Sequence, residues 1–139
     1  MSRRLAREIA FQTLFQRDLG KNETEPALSS LVEESGLSGE YVNFARALVE
    51  GAVREQETID QAIRRYLQRW ELSRLAAVDR AILRLAAYEL LFCPDIPAAV
   101  AINEALELCK RYDSEESAKF LNGVLDKIAR ERSGDGVVS

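Results

Sequence analysis

An all-α fold of about seven helices is what this sequence predicts, and three observations carry that reading. Apolar residues recur at three- and four-residue spacing through most of the chain. No segment alternates apolar and polar residues as a half-buried strand does. The 3 prolines and 7 glycines stand mostly between the periodic segments, where they punctuate them.

The first helix is expected from Arg3 to Leu19, stopping at Gly20. Asn22 to Pro26 reads as a loop. Pro26 suits the first turn of a short second helix ending near Gly36, because a proline there forfeits no intrahelical bond. Ser38 is a candidate N-cap for a third helix through Phe44, Leu48 and Val53. A fourth covers Ile59, Ile63 and Leu67, either continuous with the third or bent between Arg54 and Thr58. Ser73 can cap a fifth helix running to about Phe92, and Pro94 and Pro97 force a break before the sixth. Asp113 or Ser114 caps a seventh, whose Glu115 and Glu116 suit its positive end. Residues 1–132 then make one domain, and 133–139 a disordered tail.

The fifth helix is apolar over most of its circumference. Leu75, Val78, Ile82 and Leu85 share one sector, while Leu83, Ala87, Leu90 and Leu91 cover another. Such a helix is surrounded by others, so it should lie at the centre of the core. Glu89 falls in the sector of Ile82 and Leu85. A carboxylate aimed into a core requires an internal hydrogen bond or ion pair. The rival reading, a catalytic acid, finds no matching second acid. On the sixth helix Ala99, Ile102, Leu106 and Cys109 share a face, with Glu107 and Arg111 paired outside it. Asn103 and Glu104 make a poor metal site and read better as solvated or helix-to-helix hydrogen-bonding groups.

Composition excludes several function classes. The 139 residues suffice to bury most of a core without disulfides, and 47% hydrophobic with 30% charged residues is a globular balance. Nineteen Lys and Arg against 23 Asp and Glu leave a net charge of −4, so contact with a polyanion must come from a local basic patch. With 0 histidines, no Ser-His-Asp triad, Cys-His pair, histidine zinc site or histidine base can be built. Cys93 and Cys109 are too far apart for a Cys-x-x-Cys motif and too few for a four-thiolate zinc site. They read as reduced core thiols of a cytoplasmic protein, and neither a metal nor a cofactor is expected. No apolar run approaches the ~20 residues of a membrane span. Glu8, Gln12 and Gln16 interrupt the basic N-terminal segment, which argues against a signal peptide.

The ends of the chain carry the binding candidates. On the seventh helix Ala118, Leu121, Leu125 and Ile128 form a core stripe, and Glu116, Lys119, Phe120 and Gly123 fall away from it. An exposed aromatic beside a lysine suits single-stranded nucleic acid, with bases on the ring and phosphate on the ammonium. The competing reading packs Phe120 against the first helix. Arg3 and Arg7 share a face at i,i+4, with Arg4 between them in sequence. Cations at a helix N-terminus oppose its dipole, which points to phosphate binding; plain solvation is the alternative.

Several blocks, in order, resemble the NusB family of bacterial transcription antitermination factors. They are Arg4-Leu5-Ala6-Arg7-Glu8, Gln12-Thr13-Leu14-Phe15, the loop from Trp70 to Leu75, and the run from Val78 to Leu90. Asp95-Ile96-Pro97, Ala101-Ile102-Asn103-Glu104-Ala105, and Lys119 to Lys127 complete them. The resemblance implies two packed helical subdomains and binding rather than catalysis. It implies that the chain binds boxA-type single-stranded RNA of ribosomal RNA leader transcripts together with the ribosomal protein NusE, joins an RNA polymerase antitermination complex and suppresses premature termination. By position the RNA face would comprise Arg3, Arg4, Arg7, Arg74, Lys119 and Phe120, with Glu116 at its edge; the NusE side would involve Phe15 and Asp79. The arginine arm is sparser than in some members. Two rival expectations are the NusB-like RNA-binding domain of ribosomal RNA cytosine methyltransferases and a helical homodimer that masks its RNA face.

Overall fold

Ser2 accepts a hydrogen bond from the Leu5 amide (3.2 Å) and so starts the first helix, α1 (Arg3–Asp18). The computed structural model describes residues 2–20, 23–68 and 71–135, without the side chains of 133–135. Asn22 and Trp70 lie outside the described residues. Helix α2 (Thr24–Ser35) carries Pro26 in its first turn and ends at Gly36, whose φ of 77° suits a residue without a Cβ. Helix α3 (Glu40–Arg54) begins after Gly39 rather than at Ser38, because the chain turns at Gly39 with φ 63°. Glu55 alone separates α3 from α4 (Gln56–Arg65), so the two are bent apart rather than continuous.

The fifth helix starts later than Ser73. Leu72–Arg74 form a 3-10 turn, and α5 runs from Ala77 to Phe92. Arg80 explains the delay: its Nη1 donates to the carbonyls of Leu72 (3.3 Å), Ser73 (3.2 Å) and Leu75 (2.9 Å), holding the turn off the helix axis. Helix α6 (Ala98–Tyr112) follows directly on Pro97. Ser114 Oγ accepts from the Ser117 amide (3.0 Å) and caps α7 (Glu115–Asp135). Helix α7 thus continues beyond 132, where a disordered tail was expected to begin; residues 136–139 lie outside the described ones.

Helix α5 sits at the centre, packed against α1, α3, α4, α6 and α7. Ala81, Ile82, Leu83, Leu85, Ala86, Ala87 and Leu90 are all buried, covering both sectors that periodicity marks. Two groups of helices, α1–α3 and α4–α7, meet along α5, and one apolar cluster draws on all of them. Ion pairs report the directions. Arg7 bonds Glu89 while Asp18 bonds Arg80, so α1 and α5 are antiparallel. Arg4 meets Glu104 and Glu8 meets Tyr112, so α1 and α6 run the same way. At Gly51 of α3 the approach to α5 is so close that a Cβ would sit 2.1 Å from the Tyr88 ring.

The sixth helix is rotated relative to its expected face. Ala101, Ala105, Leu108 and Cys109 point inward, whereas Ala99 is exposed and Ile102 and Leu106 are half-buried. Arg111 does not pair with Glu107; it crosses to Glu8 on α1 (3.1 Å), and Lys110 takes Glu107 at 3.8 Å. A cross-helix carboxylate close to an arginine wins over a partner on the helix's own flank.

Candidate nucleic-acid interface

Helix α7 buries Ala118, Leu121, Val124, Leu125 and Ile128, so Glu116, Lys119 and Gly123 face outward. Phe120 stands between the two environments. Its ring is half-buried against the edge of the core, and it also lines an open groove of about 240 Å³ with Tyr66, Leu67, Gln68, Gly123 and Lys127. No side chain shields Gly123: a Cβ there would meet nothing within 4 Å. The groove exists because the end of α4 is moored on α7, where Glu131 accepts from Arg65 Nη2 (2.8 Å) and the Tyr66 hydroxyl (2.6 Å). A ring partly packed against the core loses freedom to turn while part of it stays open to the groove, which suits a stacking platform. Phe120 faces the end of α4 across that groove, on a helix packed against α4, α5 and α6.

The N-terminal arginines divide into two classes. Arg3 is exposed, and its guanidinium lies 4.4 Å from the centre of the Phe44 ring on α3. Arg4 forms a two-pronged pair with Glu104 (3.1 and 2.9 Å), yet 63% of its side chain remains exposed. Arg7 corrects the expectation placed on it. It is only 4% exposed and its Nε and Nη2 grip both oxygens of Glu89 at 2.8–3.0 Å. Arg7 shares the α1 stripe of Ala10 and Leu14, and that inward-pointing face withdraws it from the surface. Burial pushes the Glu89 carboxyl up, and the Arg7 guanidinium opposes that shift. The cation that Glu89 required is therefore Arg7, a pairing across 82 positions that no local pattern announces.

Arg74 is exposed at the end of the 3-10 turn, and Glu116 is exposed in the first turn of α7. Among the described residues no hydrogen bond or ion pair joins Arg3 and Arg4 to Lys119 and Phe120. The arm lies against α3 and α6, the aromatic against α4.

The residues expected on the partner side also separate. Phe15 is half-buried at the surface of α1, its ring 6.1 Å from that of Phe11, which in turn lies 5.0 Å from Tyr112. Asp79 is 7% exposed and turns inward, because it closes the corner where α5, α6 and α7 meet; it cannot offer a partner an open carboxylate. Cys109 Sγ approaches its Oδ1 at 3.7 Å. Burial, and then hydrogen bonding with Asp113, raise Asp79 to about 7. Burial, and then the charge of Asp79, raise the Cys109 thiol to about 12. Asp79, Cys109 and Asp113 offer atoms within 4.8 Å of one another, but burial favours the protonated forms of both the Cys109 thiol and the Asp79 carboxyl, and protonated groups do not ligate a metal.

Sequence reasoning missed the groove between α4 and α7, since Tyr66, Gln68 and Lys127 belong to different periodic segments. It also missed Phe44 under Arg3 and the four-residue network in which Asp18 and Asp60 hold Arg80 and Arg84. For Asp18, burial alone would raise the carboxyl, but the two guanidiniums together hold it below its ordinary value.

Comparison with known proteins places this architecture. A family model described as the NusB family matches residues 4–130. A transcription antitermination protein NusB from Heliobacterium modesticaldum is 55% identical over 131 residues, covering 94% of this chain but 64% of that relative, under two thirds of its length. Its counterpart from Desulfitobacterium hafniense is 47% identical over 130 residues, covering 92% and 88% respectively. Among solved structures, T. maritima NusB matches with a TM-score of 0.88 at 43% identity, covering 94% of this chain and 92% of that one. A chain from a crystal structure of antitermination factors NusB and NusE in complex with dsRNA matches at 0.86 and 33%, covering 93% and 96%. The family match runs through the core helix α5 and through Lys119 and Phe120, and the chain belongs to the NusB family.

Proposed function

We propose that this chain is a transcription antitermination factor that binds boxA-type single-stranded RNA of ribosomal RNA leader transcripts together with the ribosomal protein NusE. Through that assembly it joins the RNA polymerase antitermination complex and suppresses premature termination. It acts in the cytoplasm by binding alone, with no catalytic step and no cofactor, and residues 1–132 serve as its RNA-binding domain. The relatives that carry the name antitermination protein, and the NusB–NusE–RNA complex similar to it, support this reading.

One observation carries it: Phe120 is half-buried against the core and lines an open groove, with Lys119 exposed beside it and bare Gly123 one turn away. A base stacks on the ring while the Lys119 ammonium meets a phosphate. Arg3, Arg4 and Arg74 add further phosphate contacts, and Glu116 borders the face. Arg4 can do so without abandoning Glu104, because a guanidinium has five donors and most of its side chain is open to solvent. Phe15 belongs to the NusE side. Titrating labelled boxA-type RNA, with and without NusE, tests the reading: NusE should tighten RNA binding, and equal affinity for RNA of unrelated sequence would sink it.

A further inference from the structure

Asp79 lies in the first turn of α5 and faces the end of α6 and the start of α7. Its carboxylate, the Asp113 carboxylate at the C-cap of α6 and the Cys109 thiol on α6 bring atoms within 4.8 Å of one another, Cys109 Sγ lies 3.7 Å from Asp79 Oδ1, and the Ser117 hydroxyl on α7 also acts on Asp79. Neighbouring cations are engaged elsewhere, Arg80 with Asp18, Lys110 with Glu107 and Arg111 with Glu8. Glu115 and Glu116, also in the first turn of α7, are exposed and add only negative charge. Two carboxyls this close, one of them buried, repel when both are charged, so Asp79 holds its proton more readily than a free carboxyl does.

We propose that Asp79 and Asp113 form a proton-dependent clamp that docks the start of α7 onto α5 and α6. The surface carried by the first turns of α7 is firm when Asp79 is protonated and loosened when Asp79 is charged beside Asp113. That surface includes Glu116, Lys119 and Phe120, so the consequence for RNA rests on the proposed function, whereas the clamp rests on the geometry of the corner. The clamp titrates at a useful place. Asp79 is raised to about 7, and a chain with 0 histidines leaves that range clear of ordinary titrating side chains, the α-amino group aside.

The test uses the full chain, Asp79→Asn and Asp113→Asn. In urea melts between pH 5 and 8.5, the wild-type midpoint should fall as pH rises from 5 towards 7 and level off above it, while Asp79→Asn, whose amide cannot ionise, lacks that part of the fall. Removing the Asp113 charge should move the fall to lower pH. Parallel curves for wild type and Asp79→Asn would overturn the clamp. Should Asp79→Asn not fold, carboxyl-carbon NMR titration of Asp79 in wild type and in Asp113→Asn decides instead. A midpoint near 7 that drops when Asp113 is replaced supports the clamp, and an ordinary carboxylate midpoint in both overturns it. For RNA, if only the protonated clamp is competent, the apparent Kd of labelled boxA-type RNA should rise about tenfold from pH 6 to pH 8, following the protonated fraction, in wild type but not in Asp79→Asn. Stability and carboxyl titration need no RNA, so absence of RNA binding at both pH values would overturn the proposed function alone.

Discussion

At Arg7, a guanidinium that helical spacing puts beside Arg3 directs its hydrogen bonds inward to Glu89. Mutating the arginine arm therefore has two separable effects. Arg7→Ala leaves a buried carboxylate without its partner and should cost ~3–5 kcal/mol of stability, read by urea melting. Arg3→Ala with Arg4→Ala should leave folding nearly untouched, since both side chains are exposed and water screens the Arg4–Glu104 pair. If each contacts one phosphate, the double variant should lower the log–log salt slope of RNA binding by about 0.7 per arginine. An unaltered slope would remove these two from the RNA face. Phe120 is a mixed case. Phe120→Ala should cost ~1–3 kcal/mol of RNA affinity and less stability than the ~3–5 kcal/mol of a fully buried Phe, because its ring is only half-buried. A urea melt beside an RNA titration checks both halves; normal affinity in the folded fraction would end the stacking role.

Between elements, the closest approach is α3 on α5, where Gly51 meets Tyr88. A methyl at Gly51 must displace the Tyr88 ring, which stacks on Phe92 with 5.6 Å between centres. Gly51→Ala should therefore cost ~1–3 kcal/mol by overpacking. Combining it with Tyr88→Ala should be less damaging than the sum, because the second change removes the clash. Strict additivity in thermal or urea unfolding would show that Tyr88 is not what the methyl strikes. Along α5 itself, Ile82→Ala should cost ~2–5 kcal/mol, since Ile82 is 0% exposed and its neighbours come from several helices that cannot all close the gap.

For the whole molecule, the titration of stability follows from two carboxyls shifted in opposite directions. Asp18 is held below its ordinary 3.8 by Arg80 and Arg84 against the pull of burial, so its contribution is present above that value and is lost as pH falls below it. Asp79 is raised from 3.8 to about 7, so the folded chain holds a proton that the unfolded chain releases. Its contribution is full below 3.8 and declines as pH climbs towards 7. Stability should therefore peak on the acid side of neutrality, and a urea-midpoint profile that instead rises steadily from pH 5 to pH 8 would contradict the Asp79 shift.

The helices, their order and the centrality of α5 were legible in the sequence, because three- and four-residue spacing of apolar side chains is a local consequence of helical geometry. The core stripe of α7 and the inward demand of Glu89 were legible for the same reason. Periodicity reports that a side chain points inward but not what it meets there. Only tertiary packing decided that Glu89 meets Arg7, that Arg111 crosses to Glu8, and that Asp79 closes a corner of carboxyls instead of facing a partner. Each of these is a contact between distant segments, formed because burial makes an unpaired charge too costly to leave alone. The groove beside Phe120 has the same origin: its walls are α4 and α7, and it takes shape only when Glu131 moors one against the other.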